Sequence, residues 1–397
     1  MRPALEVADI FRRHGPNYCV AHDGHLGRVE RRVMSAIALC RTAALGGHVE
    51  TCADCAHSRV AYNSCRNRHC PKCQGAARDA WLAARQADLL PLPYFHVVFT
   101  LPAEIAAIAY QNKTLVYTIL FDTVAETLKT IATDPKHLGG ELGFIAILHT
   151  WGQALTHHPH IHCLVPGGAL SFDHERWIPC QPRFFLPIHV LSSLFRRLFL
   201  ERLHAAHAEG RLRFFGALSA LNDARAFADA LRPLRAKRWV VYAKPPFSSP
   251  EHVLAYLGRY THRVAIANSR LVSADETRVT FRWRDYRHGN APSLMSLGPD
   301  EFIRRFLLHS LPDGFHRIRH YGFLANGCRR TRLARIRQLL VKAKPAWTSA
   351  GHQTIQPAYQ RPPFDPTRCP CCGGMLRITA TLHRWGTGIM QPCPDTS

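Results

Sequence analysis

Two Cys-x-x-Cys pairs near the N-terminus constrain this chain more than any other sequence feature. Cys52 and Cys55 form the first pair, Cys70 and Cys73 form the second, and residues 56–69 separate them. Each pair can place two thiolates on one side of an ion, and two pairs complete the tetrahedron that zinc prefers. We therefore predict one structural Zn²⁺ site made by these four cysteines, with free reduced thiols as the alternative.

Further cysteine and histidine side chains lie close enough in sequence to compete as ligands. Cys65 and His69 are possible zinc ligands, and His48 and His57 are spare candidates. Another knuckle at residues 369–372 lacks an obvious second half, because Cys393 stands alone. The sequence therefore leaves open the ligand choice, a second ion, and whether the C-terminal cysteines bind zinc.

The chain carries a large positive charge, because Lys and Arg exceed Asp and Glu by 23 in 397 residues. Such a surplus favours a polyanionic partner, and nucleic acid is favoured over a membrane surface. No apolar run is long enough to cross a membrane, and the N-terminus lacks the apolar core of a signal peptide. We expect a cytoplasmic protein with no membrane partner.

Local patterns predict an α+β fold built around a central antiparallel sheet. Apolar residues at helical spacing predict helices over 1–48, 76–90, 103–134, 190–208 and 301–311. Apolar runs predict strands over 94–101, 142–151, 160–166, 239–243, 264–267 and 279–283. No regular βαβ repeat is present, which favours an antiparallel sheet flanked by helices. The predicted domains are a helical and zinc-binding domain at 1–91, a core at 92–312, and a basic segment with a Cys-rich tail at 313–397.

A histidine pair carries the strongest indication of chemistry. His160 and His162 are separated by one residue in a predicted strand, so both imidazoles lie on one face of the sheet, while Ile161 points into the core. Two imidazoles on one face can hold a divalent ion and leave positions for substrate. The alternative is a pair of ordinary exposed or core histidines.

Two tyrosines are candidate nucleophiles. Tyr256 and Tyr260 lie on a helix that Ser249, Pro250 and Glu251 are expected to open. Their spacing places both phenols on one helix face. Core packing is the usual reason for such a pair, but on a basic chain with the histidine pair the phenols become candidates for nucleophilic attack.

Together these residues resemble the HUH endonucleases, and residues of about 45–335 look like the two-tyrosine rolling-circle transposases of bacterial insertion sequences (the IS91 type). The resemblance rests on the zinc segment 62–73, on the strand at 149–153 leading to His160 and His162, on Tyr256 and Tyr260, and on residues 311–322. It implies a ferredoxin-like or RRM-like sheet and a nickase that uses Mg²⁺ or Mn²⁺ on single-stranded DNA. It also implies a tyrosine that attacks a phosphodiester and leaves a 5′-phosphotyrosine.

HUH sites usually have a third metal ligand. Gln153 lies seven residues before His160, so a hairpin can fold it back across the histidine pair, and His149 competes for the same role. We prefer Gln153. No ATP requirement is expected, because the phosphotyrosine keeps the bond energy and the chain lacks a P-loop motif.

Basic side chains indicate where nucleic acid binds. Residues 314–344 contain nine Lys and Arg and no Asp or Glu, with Tyr321 and Phe323 interleaved, a pattern typical of single-strand binding. A solvated helix face is the alternative. The predicted DNA contacts in the two segments are Arg66, Arg68, Lys72, Arg317, Arg319, Arg329, Arg330 and Arg332.

These features predict a bacterial, nucleoid-associated transposase whose partners are transposon ends and target DNA. A plasmid replication initiator or relaxase with the same chemistry is one alternative. A non-catalytic, zinc-stabilised DNA-binding protein is the other, and in that case the tyrosines would be structural.

Overall fold

Helices and strands are mixed along the described chain in no regular order. The computed structural model describes residues 5–181, 184–244, 252–253, 258, 265–285, 291–343, 365 and 367–384. Its helices are α1 (Val7–Ala21), α2 (Arg28–Leu39), α3 (Gln74–Gln86), α4 (Ala103–Gln111), α5 (Lys113–Thr133), α6 (Ile188–Ala208), α7 (Ala224–Ala236), α8 (Pro299–Leu308) and α9 (Arg329–Ala343). Its strands are β1 (Gly47–Cys52), β2 (Ser58–Tyr62), β3 (Tyr94–Thr100), β4 (Phe144–Trp151), β5 (His157–Pro166), β6 (Gly168–Leu170), β7 (Trp177–Pro179), β8 (Val241–Lys244), β9 (Leu271–Ala274), β10 (Val279–Asp285), β11 (Ala291–Leu297), β12 (Ile318–Tyr321) and β13 (Leu376–Leu382).

The central sheet has five strands in the order β12-β4-β5-β3-β8, and all neighbouring pairs are antiparallel. Side chains alternate between its two faces. On one face, Phe99, Leu148 and Ile161 belong to a large buried apolar cluster that also takes in residues of α4, α5, α6 and α7. We call the other face the histidine face, since His149, His160 and His162 lie on it.

A second apolar cluster covers part of the histidine face. Ile145, Ile147 and Leu164 pack there with Val253 and with the buried side of α9. The sheet is therefore covered on both faces, as its nearly continuous burial requires.

A third cluster joins the N-terminal helices to the C-terminal half of the chain. Phe11 of α1 packs edge-to-face on Phe306 of α8, with ring centroids 5.2 Å apart. Residues of α2 and of the β9-β10-β11 sheet complete this cluster. The N-terminal module is thus packed against the rest of the protein through α1 and α2.

The N-terminal module also has its own sheet, in the order β13-β1-β2. Strand β13 comes from the C-terminal tail and pairs antiparallel with β1 from Gly47 with Leu382 to Cys52 with Leu376. The cysteine-rich tail therefore lies beside the N-terminal cysteines.

The predicted fold class is confirmed: antiparallel sheets flanked by helices, with a small cysteine-rich module. The strand predicted at 264–267 is wrong for the residues described, because 265–267 form no strand and β10 pairs instead with β9 and β11. Most of the helix expected after Ser249 lies outside the described residues. Within the described part of the chain, no helix combines the length and apolar character needed to span a membrane.

Candidate functional site

Three imidazoles meet on the histidine face. His149 of β4 stands opposite His160 of β5, and His162 is the next residue on that face. Their donor nitrogens all lie within 4.8 Å of one another. His149 and His162 are buried, and His160 is half-buried. One nitrogen from each ring is close enough to the other two for all three to bind a single ion.

Burial keeps His160 and His162 neutral. It lowers the pKa of His160 to about 4 and holds the pKa of His162 well below its usual value, and neighbouring histidines add to the shift of His162. Only the neutral imidazole has a lone pair for a metal. His160 also donates from Nδ1 to the carbonyl oxygen of His158 at 2.6 Å, which leaves Nε2 as its donor to an ion.

The two candidates for the third ligand, His149 and Gln153, lie at different places relative to the histidine pair. His149 shares the face of the histidine pair because it lies in register on the neighbouring strand. Gln153 lies beyond the end of β4, in the turn that leads to β5, where its carbonyl oxygen accepts from Arg270 at 2.6 Å. The preference for Gln153 stays a prediction, while the register of β4 and β5 supports the competing candidate His149.

A fourth imidazole contacts the cluster and was missed by sequence reasoning. His96 of β3 places Nε2 at 2.7 Å from Nδ1 of His162, and the two rings are stacked at 5.0 Å. Lys244 of β8 is the register partner of His96 on its other side. The only signal in the sequence was a histidine within an otherwise apolar strand, which is too common to indicate a role.

Tyr256 and Tyr260 lie outside the described residues. Two neighbours in sequence are described: Val253 is fully buried in the apolar cluster on the histidine face, and a Cβ on Gly258 would lie 2.7 Å from Leu82 Cδ1 of α3.

The first cysteine cluster contains Cys40, Cys65, Cys70 and Cys73. Sγ of Cys73 lies 3.5 Å from Sγ of Cys40 and 3.6 Å from that of Cys65. Four thiols in one group match the donor set of a structural zinc site. The spare candidate Cys65 thus joins the cluster, while Cys40 at the end of α2 was missed because it belongs to no Cys-x-x-Cys pair.

The second cluster contains Cys52, Cys55, Cys369 and Cys372. The single site predicted from Cys52, Cys55, Cys70 and Cys73 is therefore wrong. Cys52 and Cys55 lie at the tip of the β1–β2 hairpin, whereas the first cluster lies at its base, where Arg41 donates to Asn63. A strand of six residues separates tip from base by roughly 20 Å, which is too far for one ion.

His69 is not a member of either cysteine cluster. Its Nε2 accepts from the backbone N–H of Leu311 at 3.0 Å, and its Nδ1 donates to Asn67 Oδ1 at 3.0 Å. Burial and nearby cationic side chains lower the pKa of His69 to about 3, so the ring stays neutral and keeps the lone pair that accepts this bond. The possible zinc ligand is instead a contact between the N-terminal module and the segment after α8.

Most of the predicted DNA contacts are used inside the protein. Arg68 donates to the carbonyl oxygens of Leu311, Pro312 and Phe315. Lys72 pairs with Glu6 at 2.5 Å, and Arg319 lies 4.2 Å from the ring centroid of Phe121. These contacts hold helices and loops together, so the side chains are not free surface charges.

Among the other predicted DNA contacts, some arginines are buried or paired within the protein and others are exposed. Arg317 is buried, which lowers its pKa to about 10 and keeps it from a phosphate in this conformation. Arg329 pairs with Asp88 at 3.4 Å, and Arg332 bonds to His174. Arg66 and Arg330 are exposed. Residue counts along a segment do not show which charges fold inward.

Two family models match the chain. The model described as "Transposase zinc-binding domain" matches residues 10–101, and the model described as "Putative transposase" matches residues 143–332. The first range contains the whole of the first cysteine cluster and only half of the second. The second range contains His149, His160 and His162.

Two relatives match over nearly the full length. "Putative transposase y4qJ" of Sinorhizobium fredii (strain NBRC 101917 / NGR234) is 57% identical over 402 residues, which cover 100% of each chain. "Transposase for insertion sequence element IS801" of Pseudomonas savastanoi pv. phaseolicola is 27% identical over 390 residues, covering 96% of this chain and 92% of the relative. No solved structure matches this chain.

Proposed function

Because this chain belongs to the insertion-sequence transposases of the IS91 type, we propose that it nicks and rejoins single-stranded DNA at the ends of its element by rolling-circle transposition. One observation carries this proposal: three histidines converge on one face of an antiparallel sheet, and Val253, close in sequence to both tyrosines, packs on that same face. The proposed partners are transposon ends and target DNA.

The histidine donor set fits a divalent cation. Three imidazoles whose ligand atoms lie within 4.8 Å of one another supply the nitrogen donors, and His149, His160 and His162 would hold the ion. When bound, such an ion neutralises phosphate oxygens and orients the scissile bond. We propose Mg²⁺ or Mn²⁺ as the ion, and the tests use Mn²⁺ because Mg²⁺ is a hard cation that binds nitrogen ligands weakly.

In this proposal, His96 determines the tautomer of His162, that is, which ring nitrogen carries the proton. A hydrogen bond between two neutral imidazoles needs one N–H, and metal binding at His162 Nε2 requires that His162 donates from Nδ1 to Nε2 of His96, which lies 2.7 Å away. His162 then keeps its Nε2 lone pair for the ion. His96 is a positioning residue, because it acts only through the ring of His162.

The tyrosines supply the nucleophile. A phenol of Tyr256 or Tyr260 loses its proton as its oxygen bonds to phosphorus, and the bond from phosphorus to the 3′ oxygen breaks. The 3′ oxygen leaves and takes up a proton, so the products are a 5′-phosphotyrosine and a free 3′-hydroxyl. Rejoining reverses these steps with another 3′-hydroxyl, and no nucleotide hydrolysis is needed because one ester replaces another.

The direct test is strand cleavage by the purified protein. Single-stranded DNA carrying an element end and a label on the 3′ side of the cut is incubated with Mn²⁺. We expect a labelled protein–DNA adduct that survives a denaturing gel, with a free 3′-hydroxyl on the other product. Binding without an adduct on any element end would favour the non-catalytic DNA-binding protein, and cleavage only at a replication origin would favour the initiator.

Replacing His96 tests its positioning role. We expect His96→Leu to weaken Mn²⁺ binding by about 10–100-fold, the usual effect of removing a partner that orients a ligand. His96→Gln is expected to recover most of the affinity, because its side-chain oxygen can accept from His162. Titration of free Mn²⁺ by electron paramagnetic resonance measures this directly. Wild-type affinity in the Leu variant would show that the contact is only packing.

Salt dependence tests which arginines contact phosphates. Each phosphate contact on a single strand adds about 0.7 to the slope of log affinity against log salt. We expect Arg66→Ala and Arg330→Ala each to reduce the slope by about that amount, since both side chains are exposed. Arg225→Ala is the matched control, because Arg225 is exposed on α7, which packs against the opposite face of the sheet. An equal slope for all four proteins would remove Arg66 and Arg330 from the interface.

A further inference from the structure

The second cysteine cluster joins the two ends of the chain. Cys52 and Cys55 come from the β1–β2 hairpin, and Cys369 and Cys372 come from the turn that precedes β13. Sγ of Cys52 lies 3.5 Å from that of Cys372, and Sγ of Cys55 lies 3.6 Å from that of Cys369. An S–S bond is about 2.05 Å, so these are neighbouring thiols and not disulfides.

The C-terminal turn has the backbone of a metal knuckle. The N–H of Cys371 points at Sγ of Cys369 at 3.4 Å, and the N–H of Gly374 points at Sγ of Cys372 at 3.4 Å. Such bonds stabilise thiolates, which are the form that binds metal. Gly374 allows the two knuckles to approach, because a Cβ there would collide with the Asp54 carboxylate and lie 3.1 Å from Cys52 Sγ.

The sheet around this cluster has little hydrophobic support. Every residue of β2 is exposed or half-buried, and so is every residue of β13. Neither strand contributes to the three apolar clusters of the described chain. A small sheet without an apolar core usually needs a metal or a disulfide to be stable.

We propose that Cys52, Cys55, Cys369 and Cys372 form a second structural Zn²⁺ site that fastens the C-terminal strand β13 to the N-terminal module. Four thiols in a group of this size fit tetrahedral zinc, and zinc binding displaces their protons. This site is separate from the first cluster and does not depend on the proposed chemistry at the histidines. It forms only when Cys369 and Cys372 are present, so it couples the fold of the N-terminal module to a segment more than 300 residues later in the chain.

The zinc content of the purified full-length protein tests the proposal. We expect two Zn²⁺ per chain by elemental analysis and one in the Cys369→Ser, Cys372→Ser double variant. Cys371→Ser is the matched control, since Cys371 lies in the same turn but outside the cluster, and it should keep two. One Zn²⁺ in the wild type, or two in the double variant, would overturn the site.

A second measurement leaves every cysteine intact. A protease recognition sequence is inserted between residues 355 and 356, and the folded protein is cut there. We expect the C-terminal fragment to co-elute with the body while zinc is bound and to separate when a chelator is added. A fragment that separates before chelation, or stays bound after complete zinc removal, would contradict a zinc-dependent attachment.

Discussion

We expect the His162→Ala protein to lose nicking by roughly 1,000-fold or more and to keep its affinity for single-stranded DNA. His162 lies between the two other proposed ligands, His149 and His160, and the contacting ring of His96. Charge neutralisation at a phosphodiester is worth several kcal/mol, and each ~1.4 kcal/mol is tenfold in rate. Binding of single-stranded DNA is proposed to depend on exposed cationic side chains elsewhere, so the affinity should persist.

Controls separate this loss from unfolding. His189→Ala removes an exposed imidazole from α6, which packs on the opposite face of the sheet, and should nick at the wild-type rate. The zinc content of the His162→Ala protein should equal that of the wild type, because the cysteine clusters do not include β5. Cleavage at the wild-type rate by a folded His162→Ala protein would place the metal site elsewhere.

The sequence predicted the elements that bear the site because they are locally regular. The apolar runs at 94–101 and 142–151 correspond to β3 and β4, and the period of two correctly placed His160 and His162 on one face. His149 could not be chosen over Gln153, because that choice depends on the register between β4 and β5. Register is a relation between strands and has no signature within one of them.

The grouping of the cysteines also depends on contacts between segments that are far apart in sequence. Each Cys-x-x-Cys pair was recognisable, but its partner pair was not the nearest one in sequence. Cys70 and Cys73 are completed by Cys40 and Cys65, and the pair at Cys52 is completed from the C-terminal tail. The length of the β1–β2 hairpin decides this pairing, because it holds its tip away from its base.

The charge pattern of the sequence does not identify the exposed arginines, for a different reason. The segment 314–344 contains no Asp or Glu, a pattern that predicts arginines available for DNA. Their partners come from distant parts of the chain: Asp88 for Arg329, Glu175 for Arg335 and Asp122 for Arg319. A net charge predicts the class of partner, but tertiary packing determines which side chains contact it.

The second large effect concerns the tyrosines, and we expect the Tyr256→Phe, Tyr260→Phe protein to form no covalent DNA adduct. Each phenol is proposed to hold one DNA end, so either single variant should still form an adduct on an isolated strand. Transposition should fall in both single variants, because cutting a second junction while the first end stays attached requires both phenols. Denaturing gels of each protein with labelled single-stranded ends measure the adduct, and a donor-to-target assay in cells measures transposition.

Tyr242→Phe is the control that makes this result specific. Tyr242 is an exposed phenol on β8, and the strand pairing aligns it with Val98 and His162 across the sheet, so it lies on the histidine face about 10 Å from His162. We expect the Tyr242→Phe protein to form adducts and transpose as the wild type does. An adduct in the double variant that disappears only when Tyr242 is also replaced would transfer the nucleophile to β8. Full transposition by the Tyr260→Phe protein would show that Tyr260 has only a packing role and that a single tyrosine makes both cuts.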